Sequence, residues 1–561
     1  MKTRRWLYFA AFIAVIACSS CNKNKLEQTK HIPKDANIVL GVQADALYSK
    51  LKDHKDLLDT AAQFFAEQMT NALNLSDTNK QNMDALLNSI DTKQPVFLFK
   101  QTKHSIEEGE ATLAGIVISL SDASKFADYV KNNLSEAVSQ GNGYSFGMLK
   151  NASGSIVGWN REAAIFLNYS GDISKVPAQL DTLFNMKKSE SLAADTSFAS
   201  TYNAQADISF YLSSSQLLIA ALPSIAMSLT MTKLDDLMKG SYTVGSINFN
   251  NGAIDMAAKN YPNAALQDLV NKNPCKALDG NTLNNYSGAL QGIMDFSINP
   301  QLLAGIIQYM GFDQMINSFL QQQGLHLTLD DIAAVFKGEF AAGVSNFSNG
   351  SNGFLICAPL AGKAAYDKVI NALAENNPDL FVKKNGQFIP SLFANEQSNL
   401  SLFMQSSSSI TYSADNNNML IASSQEMIDS FAAGKGSAIL PDDAVKNLKG
   451  KSVYFYGNLQ SISGYISGNI PADDVNSKYS ETLAIVKKAL KDFSAWSNVP
   501  AGNVYTGEAH IRFMDEQQNS LVSLLTMIKD YKAVQDKYDL IINRMLQMDT
   551  HLPPPAGVLH K

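Results

Sequence analysis

The chain has 561 residues, 45% of them apolar and 17% charged, where a typical domain carries about 25% charge. It is long enough to bury more than one core. Its net charge of −7, with no Lys/Arg cluster in the body, argues against nucleic acid as a partner and against charge-driven binding to an anionic lipid face.

The N-terminus opens with Lys2, Arg4 and Arg5, followed by an apolar run of twelve residues from 6 to 17. A bilayer span needs about 20 residues, so the run suits the apolar region of a signal peptide instead. It ends in Val15-Ile16-Ala17-Cys18, which resembles the bacterial lipobox, the motif whose cysteine takes a diacylglycerol on sulfur. Ile16 is larger than usual for its position. Cys21 is the alternative acceptor, but Cys18 lies at its third position back, where an aliphatic residue is expected. Residues 1–17 are therefore read as a lipoprotein signal peptide and 18–31 as a lipidated tether. Removing 1–17 takes three basic and no acidic residues, moving the net charge from −7 to −10. Residues 22–30 are polar and charged, as a flexible tether would be.

A strand pattern follows at 36–42, then the charged group Lys52-Asp53-His54-Lys55-Asp56, read as a solvated helix start, and a helical stretch at 57–73. Gly115-Ile116-Val117-Ile118 leads through Lys125 to Phe126, Tyr129, Val130 and Leu134 at helical intervals: a buried strand feeding an amphipathic helix. Gly353-Phe354-Leu355-Ile356, Lys363, then Tyr366, Val369, Ile370 and Leu373 repeat that pattern with the same glycine-to-lysine spacing. Other segments match in the same order: 36–42 with 289–296, the hairpin 155–167 with 409–422, 207–212 with 452–457, and Tyr242-Thr243 to Phe249 with Tyr505-Thr506 to Phe513. This colinearity predicts two divergent tandem copies, 32–270 and 280–530.

Residues 247–256 alternate apolar and polar around Asn251-Gly252, a pattern that favours a type I′ hairpin in an antiparallel sheet with one solvated face. The apolar stretch 217–231 is interrupted by Pro223, Ser224, Ser228 and Thr230 and reads as a buried amphipathic element. The last helix is expected at 520–548, with Leu524, Ile528, Tyr531, Tyr538, Ile542 and Met545 as its buried stripe. Residues 531–561 comprise the end of that helix and a proline-containing disordered tail. The fold class is α+β: two copies of a unit in which helices pack on an antiparallel sheet.

The lipobox, the short tether and His31-Ile32-Pro33-Lys34-Asp35-Ala36 leading into a strand resemble a Bacteroidota envelope lipoprotein family known as domain of unknown function 4836. The resemblance extends over most of 30–535. It implies an envelope lipoprotein with no assigned activity, and brings no functional residues with it.

The chemistry-bearing residues are scattered. None of His31, His54, His104, His326, His510, His551 and His560 pairs with another at metal-ligand spacing, and neither HExxH nor GxSxG is present. Gly362-Lys363 and Gly434-Lys435 lack the remaining features of a phosphate loop. The segment 471–476 lacks the alternating ligands of a calcium loop. Cys357 lies in a buried strand pattern and reads as a core residue. The expectation is a lipoprotein with no catalytic residue, metal or cofactor, held by its lipid on the periplasmic side of the outer membrane, that binds or scaffolds an unknown macromolecule. The alternatives are a periplasmic carrier of an apolar ligand, suggested by Phe64, Phe65, Met69 and 217–231, and a hydrolase with a dispersed site.

Overall fold

The computed structural model describes residues 27–58, 88–105, 109–150, 152–202, 206–214, 233–346, 352–384, 387–391, 410–436, 438–439, 444–462 and 474–549. The signal segment, Cys18, Cys21, most of the helical stretch 57–73, the segment 217–231, residues 471–473 and the tail 551–561 lie outside them.

The first half contains β1 (Ile38–Val42), β2 (Val96–Ser105), β3 (Gly109–Ser119), β4 (Ser139–Gln140), β5 (Ser145–Met148), β6 (Ser155–Trp159), β7 (Ala163–Tyr169), β8 (Ile208–Ser213), β9 (Tyr242–Asn250) and β10 (Ala253–Tyr261). Its helices include α1 (Ala44–Leu51), α2 (Ala123–Tyr129), α3 (Val176–Phe184) and α4 (Thr196–Tyr202). The second half contains β11 (Ala289–Ser297), β12 (Glu339–Asn346), β13 (Asn352–Pro359), β14 (Phe381–Lys384), β15 (Gln387–Pro390), β16 (Thr411–Ala414), β17 (Asn418–Ala422), β18 (Lys451–Asn458), β19 (Leu490–Asn498) and β20 (Tyr505–Phe513). Its helices include α5 (Pro300–Tyr309), α6 (Asp313–Gln322), α7 (Leu329–Ala333), α8 (Lys363–Asn376), α9 (Gln425–Ala432), α10 (Ala444–Leu448), α11 (Asp474–Ala489) and α12 (Ser520–Asp549).

Eighteen of these strands form one sheet; the pairings between named strands are antiparallel, and an isolated parallel bridge joins Ala289 of β11 to Ile439. The architecture is α+β. From the middle of the sheet the first half runs β10-β9-β8-β1-β2-β3-β7-β6-β5-β4. The second half runs β20-β19-β18-β11-β12-β13-β17-β16. The two orders agree strand for strand as far as β6 and β16, and β10 pairs with β20 at the seam between them. They differ beyond that point: β14 and β15 pair with each other in a separate two-stranded sheet.

Helices enclose cores on both faces of the outer strands. On one face Phe97, Val117, Ile156 and Ile165 pack with Leu180 of α3 and Phe198 of α4. On the other, Ile116, Ile118 and Val157 pack with Phe126 of α2. In the second half Leu355, Leu420 and Tyr454 pack with Phe431 of α9, and Tyr366 of α8 packs with Leu320 and Val335. All five residues of β6 are buried, so the expectation of one solvated face fails in these outer parts. Local capping sets the helix starts. Asp122 accepts from the Ser124 and Lys125 amides at the start of α2, and Thr328 and Asp331 form a capping box at α7. A central core joins the halves: Ile254 of β10 and Phe513 of β20 pack against Leu521, Val522 and Leu525 of α12.

Three further expectations change. The tether gives way to packed structure at Glu27–His31, a 3-10 turn in which Gln28, Thr29 and His31 are buried. Local polarity was misleading here, because the polar groups are satisfied by the fold: the Gln28 amide donates to the Pro95 carbonyl (3.0 Å) and to Ser119 Oγ (2.6 Å). The β9–β10 turn is not type I′, since Gly252 has φ +70 but Asn251 does not have a positive φ. Asn251 bridges to Asn519, while the Gly252 amide donates to the Gln518 carbonyl at 2.8 Å. On α12 Tyr538 is buried and Leu524 and Ile528 pack against the central core, as expected, but Tyr531 is exposed and the stripe also takes in the buried Leu521, Val522 and Leu525.

Candidate functional site

The seam brings together polar groups that are remote in sequence. On β20, Ile511 and Phe513 point into the central core. Strand alternation then sends Glu508, His510 and Arg512 to the opposite face. Asp255 of β10 lies directly across from His510, and its Oδ1 is 2.6 Å from His510 Nδ1. The side chain of Asn250 donates to the same carboxylate at 2.5 Å.

His510 Nε2 is buried without a hydrogen-bond partner, and the Glu508 carboxylate lies 3.8 Å away. Trp496 of β19 stacks on the imidazole with 4.8 Å between ring centroids. Lys451 of β18 sits 5.4 Å from the Trp496 ring and donates to Asn498 Oδ1 at 2.6 Å. Arg512 grips Asp492 with two bonds, Nε to Oδ1 at 2.6 Å and Nη2 to Oδ2 at 2.8 Å. Such a fork fixes the guanidinium plane.

An imidazole held through Nδ1 on a carboxylate is the general-base half of a hydrolytic centre. Its nucleophile is not in place: no hydroxyl or thiol is hydrogen-bonded to His510 Nε2 among the described residues. Among those residues, too, no three His, Cys, Asp or Glu side chains gather as metal ligands. A pocket lined by Ala44, Ile90, Pro95, Val96 and Ile118 holds about 10 Å³, room for a single water.

Asp295 is a second unusual group. It lies on β11 with 0% exposure, and neither carboxylate oxygen has a hydrogen-bond partner. Burial, then the nearby carboxylates of Glu339 and Asp279, push its pKa up to about 8. Ala341 and Tyr454 flank it on the neighbouring strands, and the Tyr286 hydroxyl donates to the Ala341 carbonyl at 2.9 Å. Cys357 is buried in the same core, as expected. Burial first, and then the charges of Glu339, Asp295 and Asp415, push its thiol pKa upward, which disfavours the nucleophilic thiolate.

The structure gathers few of the residues singled out in the sequence. His31 is buried against Phe184, with ring centroids 5.2 Å apart, and its Nδ1 is 3.1 Å from the Leu183 carbonyl. Burial lowers its pKa. Lys55 and Asp56 open a short helical turn, and Asp56 pairs with Lys529 at 2.8 Å. Both candidate lipid acceptors, Cys18 and Cys21, lie outside the described residues. The Asp255–His510 pair was missed because 255 positions separate its members. Asp295 did have a signal: a carboxylate in the apolar strand Gly292-Ile293-Met294-Asp295-Phe296.

Among solved structures, the chain is similar to TP0453 in crystal form III, at 9% identity and a TM-score of 0.25 over 46% of this chain and 91% of that one. Crystal form I gives 9% and 0.25 over 45% and 86%. No curated protein matches. The model of a family described as a domain of unknown function, DUF4836, matches residues 28–521, and the chain belongs to that family.

Proposed function

We propose that the protein is a Bacteroidota envelope lipoprotein made of two divergent copies of one unit. Lipid on Cys18, or alternatively Cys21, holds it on the periplasmic side of the outer membrane, where it acts as a non-catalytic binding scaffold. The observation that carries the binding reading is the seam. Its charged and aromatic side chains are committed to one another across three strands, through the Asp492–Arg512 fork, the Asp255–His510 pair and the Trp496–His510 stack. A surface fixed in this way is preorganised for recognition. The partner is a macromolecule that meets exposed groups such as Glu508 and Lys259 at the seam's rim.

The test is crosslinking in cells, with recovery of the intact lipoprotein and of a Glu508→Lys, Lys259→Glu variant. A partner recovered with the wild type and lost with the variant supports the reading; identical recoveries overturn it. The Asp255–His510 pair favours one alternative, a hydrolase using His510 as general base. Turnover of an ester, peptide or glycoside substrate, abolished by His510→Asn, would replace the scaffold with that enzyme.

A further inference from the structure

We propose that the consecutive helices α5 and α6 of the second half rest on the lipid bilayer that carries the anchor. This rests on the lipid-anchored reading above. α5 contains no charged residue, yet Ala304 is its one buried residue. A helix this apolar is normally covered. On α5 Leu303 is 53% exposed, and on α6 Met315 and Phe319, one turn apart, are 61% and 57% exposed. Asp313 is the single charged residue between Asn299 and Gln323.

With lipid on Cys18, the bilayer surface would lie within a short tether of Glu27. Eight residues, 19–26, separate Cys18 from the first described residue, Glu27. Fully extended, they span at most roughly 28 Å. Charge argues against attraction to anionic headgroups, because the body without its signal segment carries −10 by the sequence count. Contact would come from apolar side chains entering the interface, as in amphipathic surface helices, and would be insensitive to screening by salt.

The full-length lipidated protein is reconstituted into phosphatidylethanolamine vesicles that contain a lipid with a photoactivatable acyl chain. After illumination, labelled peptides are mapped. Label is expected in Pro300–Gln322, undiminished by high salt, and is expected to be lost from that segment in Met315→Glu, Phe319→Glu. Both side chains are exposed, so the variant should melt with the wild type, and melting is measured alongside. Label confined to other segments while the protein stays on the vesicles overturns the docking and leaves the anchor standing. Crosslinked dimers through these helices, or label that requires an anionic lipid, also overturn it. Absence of the protein from the vesicles overturns the anchor and the docking together.

Discussion

Ala257 on β10 and Glu508 on β20 face each other across the seam, and each holds the same place in its half's strand order. From Ala257 one cross-strand rung runs through Ser246, Ser209, Gly41, Phe97, Val117 and Ile165. From Glu508 its counterpart runs through Trp496, Tyr454, Asp295, Ala341, Cys357 and Leu420. Asp295 thus stands where the first half has Gly41, and Ala341 where it has Phe97. The first half fills the space with a ring: a Cβ added to Gly41 would lie 2.7 Å from the Phe97 ring. The second half puts a carboxyl group beside a methyl.

This exchange sets a pH dependence. The folded pKa of Asp295 is raised to about 8, so the native state keeps a proton that the unfolded chain releases near the ordinary carboxylate pKa. Stability is therefore expected to fall as pH rises from about 4 towards 8, at about 1.4 kcal/mol per unit of raised pKa. Asp295→Asn should remove that part of the slope and stabilise the protein most at pH 8. Urea melts of both forms at pH 5, 7 and 9 read it; parallel pH profiles would show that the acid is not buried and alone.

The same pair of positions allows a volume exchange. Ala341→Phe alone is expected to destabilise by about 1–3 kcal/mol through overpacking. Adding Asp295→Gly recreates the Gly41–Phe97 arrangement and should recover most of that loss. A double-mutant cycle measures the coupling, and additive effects would count against the equivalence of the two rungs. In the first half, Phe97→Ala should cost about 3–5 kcal/mol.

At the seam, Arg512→Ala leaves the buried Asp492 carboxylate without its fork. The expected cost is about 3 kcal/mol, and Arg512→Lys should recover only part of it because a lysine cannot supply two parallel donors. Thermal melts of the three proteins decide this. Equal stability of the lysine variant and the wild type would mean that the fork geometry adds nothing.

The strand and helix elements were legible where burial is periodic. Gly115–Ile118 and Gly353–Ile356 fall on β3 and β13, which hold the same place in the sheet, and 207–212 and 452–457 fall on β8 and β18. Hairpin partners were harder, since both strands of a hairpin alternate alike. The match of Tyr242 with Tyr505 set β9 against β20, whereas the strand order sets β9 against β19. The register was also obscured. The sequence match sets Val117 against Leu355, while the rung sets it against Cys357, a slip of two residues that keeps the face. The seam groups had no local signature, because strand pairing between distant segments creates their contacts.

The N-terminal boundary gives the last test. Residues 27–31 read as tether from polarity, yet they hold the edge of the first core. The buried Gln28 amide serves two acceptors, the Pro95 carbonyl and Ser119 Oγ, so Gln28→Ala leaves both without this donor. Such a loss costs about 1–3 kcal/mol. His31 adds its bond to the Leu183 carbonyl at 3.1 Å and its contact with Phe184. A chain beginning at Glu27 should therefore melt with one beginning at Lys25. A chain beginning at Ile32 should melt several degrees lower, since about 1 kcal/mol moves the midpoint by a few degrees in large domains. If the chain beginning at Ile32 melts with the other two, then 27–31 belongs to the tether after all and the fold starts at Ile32.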